Sequence, residues 1–150
     1  KVFEFGAAPG GWTQVLFDLN PNIQITALDI LDLKFTHPNL KYFKEDFLKF
    51  NYEKIENDYD LILSDIAPNT IGHQSTDHLR ISNMIFEIIN LLDKILKKDG
   101  NFVIKIWKGS EEKSLLIKLN TKFKKVSYYK PKSSRKDSSE IFIVATNFLN

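Results

Sequence analysis

The chain has 150 residues, a length typical of one domain, and its 43% hydrophobic content is sufficient for a buried core. It has no cysteine, which excludes disulfide bonds and thiol catalysis, and no apolar run approaches the roughly 18 residues that span a membrane. The net charge of +2 conceals an asymmetry. Residues 1–100 carry 10 basic and 15 acidic side chains, whereas residues 101–150 carry 11 basic and 4 acidic side chains. This basic last third favours a polyanionic partner.

Strand-like apolar runs alternate with helical patterns along the chain. Strands are predicted at Val2–Phe5, Ile23–Asp29, Leu40–Lys44, Tyr59–Ser64, Asn101–Trp107, Lys124–Lys130 and Glu140–Thr146. Helices are predicted at Trp12–Leu19, from Asp77 to about Lys98, and at Ser110–Asn120. The long helix is expected to end at Asp99-Gly100, with Gly100 as its C′ residue.

The order of these elements predicts the architecture. Strands separated by helices indicate an α/β fold with a mostly parallel sheet and helices on both faces. Only a loop joins the last two strands, and a parallel crossover needs a dozen or more residues. This pair is therefore predicted to be antiparallel. We find no internal repeat and no linker, so residues 1–150 are expected to form a single domain.

The first strand ends in a turn of small residues, Gly6-Ala-Ala-Pro-Gly10-Gly11, which leads into a helix at Trp12. In an open α/β sheet a nucleotide-like cofactor binds at such a strand–turn–helix unit, and small side chains let it approach the backbone. The turn does not match the dinucleotide pattern G-x-G-x-x-G, which disfavours a nicotinamide dehydrogenase. It favours a cofactor with a ribose and a base but no pyrophosphate, such as S-adenosylmethionine.

Three aspartates follow predicted strands and are candidates for the same crevice. Asp29 ends the second strand, where an acid can accept hydrogen bonds from ribose hydroxyls. Asp46 follows the third strand and could accept an adenine amino hydrogen. Asp65 follows the fourth strand and would face the glycine turn. Each of them could instead cap the turn in which it lies.

Lys105 is the candidate for proton chemistry. Strand alternation places it on one face with Val103 and Trp107, and both faces of such a strand are usually covered. A lysine there needs a partner and can serve as a general base, or it extends to water near the end of the strand. Glu140 opens the last strand and could pair with Lys105.

A basic loop rich in hydroxyls precedes Glu140. Its cations suit RNA phosphate contacts, although an exposed surface loop without a ligand would have the same composition. The candidate RNA-binding residues are Lys130, Lys132, Arg135 and Lys136.

Together these segments resemble the FtsJ (RrmJ, RlmE-type) family of ribosomal RNA ribose 2′-O-methyltransferases over nearly the whole chain. The similar segments are Gly6-Ala-Ala-Pro-Gly-Gly-Trp12, Ser64-Asp65-Ile-Ala-Pro-Asn69, Phe102-Val-Ile-Lys105 and Lys130-Pro-Lys-Ser-Ser-Arg135 followed by Ser139-Glu140. The resemblance implies a seven-stranded Rossmann-like methyltransferase fold and S-adenosylmethionine as methyl donor. The residues that it implies for cofactor binding are Gly6, Gly10, Gly11, Trp12, Asp29, Asp46 and Asp65.

The family resemblance also implies a Lys-Asp-Lys-Glu catalytic tetrad. Asp65, Lys105 and Glu140 match its last three members. The first lysine belongs to a helix that precedes the cofactor turn, so we expect this part of the family domain to lie upstream of Lys1. Otherwise that lysine is lost.

The resulting prediction is an enzyme that methylates a ribose 2′-hydroxyl of ribosomal RNA, with 23S-type large-subunit RNA favoured. Alternatives are a 2′-O-methyltransferase acting on tRNA or an mRNA cap, or a non-catalytic RNA-binding or ribosome-assembly module. We expect ribosomal RNA or the large subunit as partner, no membrane, no metal site and a monomer. The expected location is the cytoplasm, or mitochondria if a targeting segment was removed.

Overall fold

A computed structural model describes residues 1–66, 74–107, 112–132 and 139–149. The seven strands are β1 (Val2–Phe5), β2 (Ile25–Asp29), β3 (Leu40–Lys44), β4 (Tyr59–Ser64), β5 (Leu96–Trp107), β6 (Phe123–Tyr129) and β7 (Glu140–Phe148). The helices are α1 (Gly11–Leu19), α2 (Gln74–Ile95) and α3 (Glu112–Asn120), with a short 3-10 helix at Tyr52–Lys54.

All seven strands join one sheet in the order β3-β2-β1-β4-β5-β7-β6. Strands β1 to β5 pair in parallel, whereas β7 is antiparallel to both β5 and β6. The chain builds outward from β1 to β3 and then returns to place β4 on the other side of β1. Ligands of open α/β sheets bind beyond the strand ends where the order reverses in this way. The predicted fold class is confirmed, including the antiparallel last pair.

Helices cover both faces of the sheet, as predicted. Helix α1 contributes Phe17 to an apolar cluster that includes Val2 and Ala27 on one face. Helices α2 and α3 contribute Ile88 and Leu115 to a larger cluster on the other face. None of the helices within the described ranges is both long enough and apolar enough to cross a membrane.

The predicted end of the long helix is wrong. Helix α2 ends at Ile95, because Leu96 is buried and pairs with Tyr59 of β4 as the first residue of β5. The register then shifts before Asn101, so Asp99 and Gly100 belong to an irregular segment of the strand. A Cβ on Gly100 would lie 2.6 Å from the Leu96 Cδ1 atom, so this glycine permits a close approach within the strand.

Other boundaries shift by a few residues. Strand β2 begins at Ile25 rather than Ile23, and α2 begins at Gln74 rather than Asp77. The predicted start of the third helix at Ser110 lies outside the described residues, as do 67–69 of the fourth-strand motif.

Candidate active site

Several strand ends meet at one edge of the sheet. The parallel strands bring their carboxyl ends there, which places Asp29 at the end of β2 and Asp65 after β4 on the same side of the molecule. Strand β7 runs the other way, so its first residue, Glu140, lies beside Trp107 at the end of β5. Sheet topology therefore collects acidic residues from distant parts of the chain.

The glycine turn needs glycine at two positions. Gly6 has φ +72°, and a Cβ there would lie 2.9 Å from the backbone carbonyl carbon of Asp65 and the nitrogen of Ile66. Gly10 has φ +118°, and a Cβ there would lie 3.0 Å from the Cβ of Phe35. Both positions combine a left-handed backbone with a close approach. The turn after β1 therefore packs against the residues after β4 at Gly6 and against the segment after β2 at Gly10.

Asp29 fixes the local backbone and also faces a cavity. Its Oδ2 accepts a hydrogen bond from the Ala8 N–H at 2.8 Å, and its Oδ1 accepts one from the Leu31 N–H at 2.9 Å. A carboxylate has about four lone-pair sites, so these two bonds leave acceptor capacity for a ligand. The capping role and the binding role considered for this residue are compatible.

Asp46 has a similar arrangement after β3. Its Oδ1 accepts a hydrogen bond from the Leu48 N–H at 3.0 Å, which closes the turn that follows the strand. The side chain lines the same cavity as Asp29, and its remaining lone pairs are available for a ligand.

The cavity at this edge has a volume of about 490 Å³, within the range of small-molecule sites. Of the residues proposed for the cofactor, Gly6, Asp29, Asp46 and Asp65 line it, whereas Gly10, Gly11 and Trp12 do not. The remaining lining residues are Ala8, Leu28, Ile30, Leu31, Glu45, Phe47, Leu48, Ile66, Met84 and Lys105. Ile30, Leu31 and Leu48 are exposed apolar side chains at its rim, and no sequence motif pointed to them.

Trp12 lines a different part of the surface from this cavity. Its ring packs against Phe142, with ring centroids 5.7 Å apart, and both line a separate apolar groove of about 310 Å³. This groove lies on the sheet face that α1 partly covers. A cofactor role for Trp12 stays a prediction.

Lys105 is held between two carboxylates. Its side chain is only 17% exposed, its Nζ forms a direct ion pair with Asp65 Oδ1, and it lies 3.5 Å from Glu140 Oε1. Burial raises the pKa of Asp65 and outweighs the opposing effect of the lysine. The structure thus brings together the three residues that match the tetrad, at the mouth of the cavity. Such a cluster can transfer a proton or stabilise a developing negative charge.

Residues 1–148 match the FtsJ-like methyltransferase family. The chain belongs to this family. Among its relatives, the ribosomal RNA large subunit methyltransferase E of Rickettsia africae is 37% identical over 158 aligned positions, which cover 98% of this chain and 69% of the relative.

Solved structures of methyltransferases share the fold. A Plasmodium falciparum protein described as a ribosomal RNA methyltransferase superposes with a TM-score of 0.83 at 26% identity, covering 99% of this chain and 86% of that one. Human methyltransferase-like protein 13, solved in complex with SAH, superposes with a TM-score of 0.71 at 15% identity, covering 99% of this chain and 71% of that one. At that identity the second likeness shows the fold alone.

A buried acid below the glycine turn was not among the residues chosen from the sequence. Glu4 of β1 is 1% exposed, and one of its carboxylate oxygens accepts a hydrogen bond from the Thr13 hydroxyl of α1 at 2.7 Å. Burial, with the negative charges of Asp65 and Asp29, raises the pKa of Glu4 from 4.5 to about 7. The available signal was a lone acid inside the apolar run of the first strand.

Two of the four proposed RNA-binding residues lie within the described part of the chain. Lys130 and Lys132 are exposed on either side of Pro131, which lines the groove that contains Phe142. Phe142 pairs with Lys105 in the register of β5 and β7, and Pro131 lines the same groove as Phe142. The basic segment therefore lies on the same side of the sheet as Lys105. Arg135 and Lys136 lie outside the described residues.

Proposed function

We propose that this FtsJ-like protein transfers a methyl group from S-adenosylmethionine to a ribose 2′-hydroxyl of large-subunit ribosomal RNA. The observation that carries the proposal is Lys105, partly buried between Asp65 and Glu140 beside a cavity that two further aspartates line. Membership of a methyltransferase family supports the reaction type, and the names of the Rickettsia and Plasmodium relatives support the RNA class.

The residues around the cavity fit S-adenosylmethionine. The remaining lone pairs of Asp29 suit ribose hydroxyls, and those of Asp46 suit an adenine amino group. Apolar side chains at the rim suit the faces of the adenine ring. Gly6 also lines the cavity, and its lack of a side chain lets the turn after β1 pack against the backbone of Asp65 and Ile66. When bound, S-adenosylmethionine would supply an electrophilic methyl group, and methyltransferase-like protein 13 holds the corresponding product, SAH.

Lys105 would act on the attacking ribose oxygen. A ribose hydroxyl is only weakly acidic, so it needs a group that removes its proton as the oxygen–methyl bond forms and the methyl–sulfur bond breaks. Lys105 in its unprotonated amine form would accept that proton. As the ammonium it would instead stabilise the developing negative charge on the oxygen while the proton passes to water. Asp65 and Glu140 would fix the position of the lysine, and good alignment of reactants is worth up to roughly 7–11 kcal/mol.

The basic segment at Lys130 and Lys132 would bind phosphates of the RNA near this lysine. Two other functions remain as competitors: 2′-O-methylation of tRNA or of an mRNA cap, and RNA binding without catalysis. A cytoplasmic location, a single domain and a monomeric state stay predictions from the sequence.

The test compares RNA classes with one protein preparation. Methyl-labelled S-adenosylmethionine is supplied with large-subunit ribosomal RNA, intact large subunits, tRNA or capped RNA, all lacking the modification. We expect label only in the ribosomal samples, and we expect it in a 2′-O-methylated nucleoside. Label in tRNA or capped RNA instead would favour those alternatives, and RNA binding without label in any sample would contradict the enzymatic proposal.

A further inference from the structure

Trp107 is an aromatic residue beside the candidate catalytic lysine that the core does not explain. It ends β5 on the same face as Lys105, and the Lys105 Nζ lies 5.8 Å from its ring centroid. Its side chain is half-buried, and neither apolar cluster of the described residues includes it. The other tryptophan, Trp12, differs because its ring joins the α1-side cluster.

The chemistry of the proposed substrate places a base near this ring. A ribose that presents its 2′-hydroxyl to Lys105 carries its base on the adjacent ring carbon, only a few bonds from the attacking oxygen. Proteins that act on single-stranded RNA commonly stack such bases on aromatic side chains. A partly exposed indole next to the lysine offers a surface of that kind.

We propose that Trp107 stacks on the base of the nucleotide whose ribose is methylated. This inference rests on the proposed function and specifies its substrate further: the target nucleotide is unpaired and turned out of any helix when it reaches Lys105. The ring thereby helps to orient the ribose, because the base is joined directly to the ribose carbon next to the one that carries the 2′-hydroxyl.

A different role for the same ring makes a different prediction. If Trp107 only held the Lys105 ammonium through a cation–π contact, its loss would impair methylation whether or not the target nucleotide had a base. If it stacks on the base, its loss matters only when a base is present. An RNA that lacks the target base but keeps the ribose separates the two roles.

The experiment uses Trp107→Leu and Trp107→Phe with a synthetic RNA that spans the mapped target nucleotide, in a normal form and in a form abasic at that position. We expect Trp107→Leu to lower kcat/KM at least about tenfold on the normal RNA, mainly through KM, and less than twofold on the abasic RNA. Trp107→Phe should retain most of the activity because it keeps an aromatic face. Equal losses on both RNAs, or no loss on either, would overturn the inference.

A binding measurement decides the point separately from methyl transfer. Tryptophan fluorescence is titrated with a single-stranded oligouridylate and with an abasic oligomer of equal length. The control is Tyr128→Ala, because Tyr128 is an exposed aromatic residue of β6 on the face of the sheet opposite to Trp107. We expect base-dependent quenching in the wild type and in Tyr128→Ala, but not in Trp107→Phe. Undiminished quenching in Trp107→Phe would overturn the inference. If the wild type transferred no methyl group to any of the RNAs, the proposed function would be refuted. The fluorescence titration would then still decide whether Trp107 stacks on a base.

Discussion

The two halves of the site are built by different means. On the cofactor side, Asp29 and Asp46 accept hydrogen bonds from backbone N–H groups of the turns in which they lie. In the cluster around Lys105, by contrast, Asp65 follows β4, Lys105 lies in β5 and Glu140 opens β7, and the three meet only because the sheet aligns those strands. One half depends on local turns and the other on long-range strand order, so substitutions in the two halves should have separable effects.

The largest effect is expected for Lys105→Ala. It removes the group proposed to act on the ribose oxygen but leaves the aspartates proposed for the cofactor. Methylation should therefore fall at least a hundredfold, about 2.7 kcal/mol, while cofactor binding persists. Single-turnover methylation of ribosomal RNA and calorimetric titration with S-adenosylmethionine measure the two effects. Lys97→Ala is the matched control, because Lys97 lies on the same strand and pairs with Asp60 at the opposite edge. Near-normal methylation by Lys105→Ala would exclude Lys105 from the mechanism.

The next effect concerns stability and comes from Glu4. Because its pKa is raised to about 7 in the folded protein, against an ordinary 4.5, the folded state holds a proton that the unfolded state has released at intermediate pH. The resulting stabilisation is full below pH 4.5 and is lost as the pH rises through 7. Relative to Glu4→Gln, the wild type should lose about 2 kcal/mol of unfolding free energy between pH 5 and pH 8. Urea unfolding of both proteins at both pH values measures this. If the wild type and Glu4→Gln differed in unfolding free energy by the same amount at pH 5 and pH 8, the raised pKa of Glu4 would be contradicted.

A smaller effect is expected for cofactor binding by Asp29→Asn. The amide keeps one acceptor oxygen, so it loses one of the two hydrogen bonds from the Ala8 and Leu31 N–H groups together with the negative charge that would favour ribose hydroxyls. The Kd for S-adenosylmethionine should therefore rise about tenfold, or 1.4 kcal/mol. Asp32→Asn is the control, since Asp32 is an exposed neighbour paired with Lys44 at 2.6 Å. Equal affinities of Asp29→Asn and the wild type would remove Asp29 from the cofactor site.

The smallest effect is expected for the basic segment. Reversing the charges of Lys130 and Lys132 to glutamate should weaken RNA binding several-fold and reduce its salt dependence by roughly one unit of slope for each phosphate that is no longer neutralised. The control reverses Lys94 and Lys98, which changes the net charge equally at the other edge of the sheet. Filter binding over a range of salt concentrations tests this. An affinity and slope that match the control would contradict the assigned role in RNA binding.

Sequence patterns predicted the parts of this molecule that follow from local rules. The alternation of strands and helices predicted a mostly parallel sheet, and the short connection before β7 predicted its antiparallel direction. That direction places Glu140, the first residue of β7, beside Trp107 at the end of β5. Its choice from the sequence depended on its place at the start of the last strand and on the family resemblance.

Features that depend on tertiary contacts were not predictable in the same way. The signal at Asp99-Gly100 is a common helix ending, yet sheet pairing of Leu96 ended the helix earlier. The neighbours of Trp12 and Glu4 depend on how α1 packs on the sheet, and spacing along the chain does not reveal this. At the end of α2 a long-range contact overrode a reasonable local interpretation.

The most direct test of the central claim is the position of the transferred methyl group, determined in digests of large-subunit RNA after reaction with the wild type and with Lys105→Ala. We expect a single 2′-O-methylated nucleoside with the wild type and at least a hundredfold less of it with the variant. A methyl group on a base, or equal amounts of product from both proteins, would contradict the proposed role of Lys105 at the ribose oxygen.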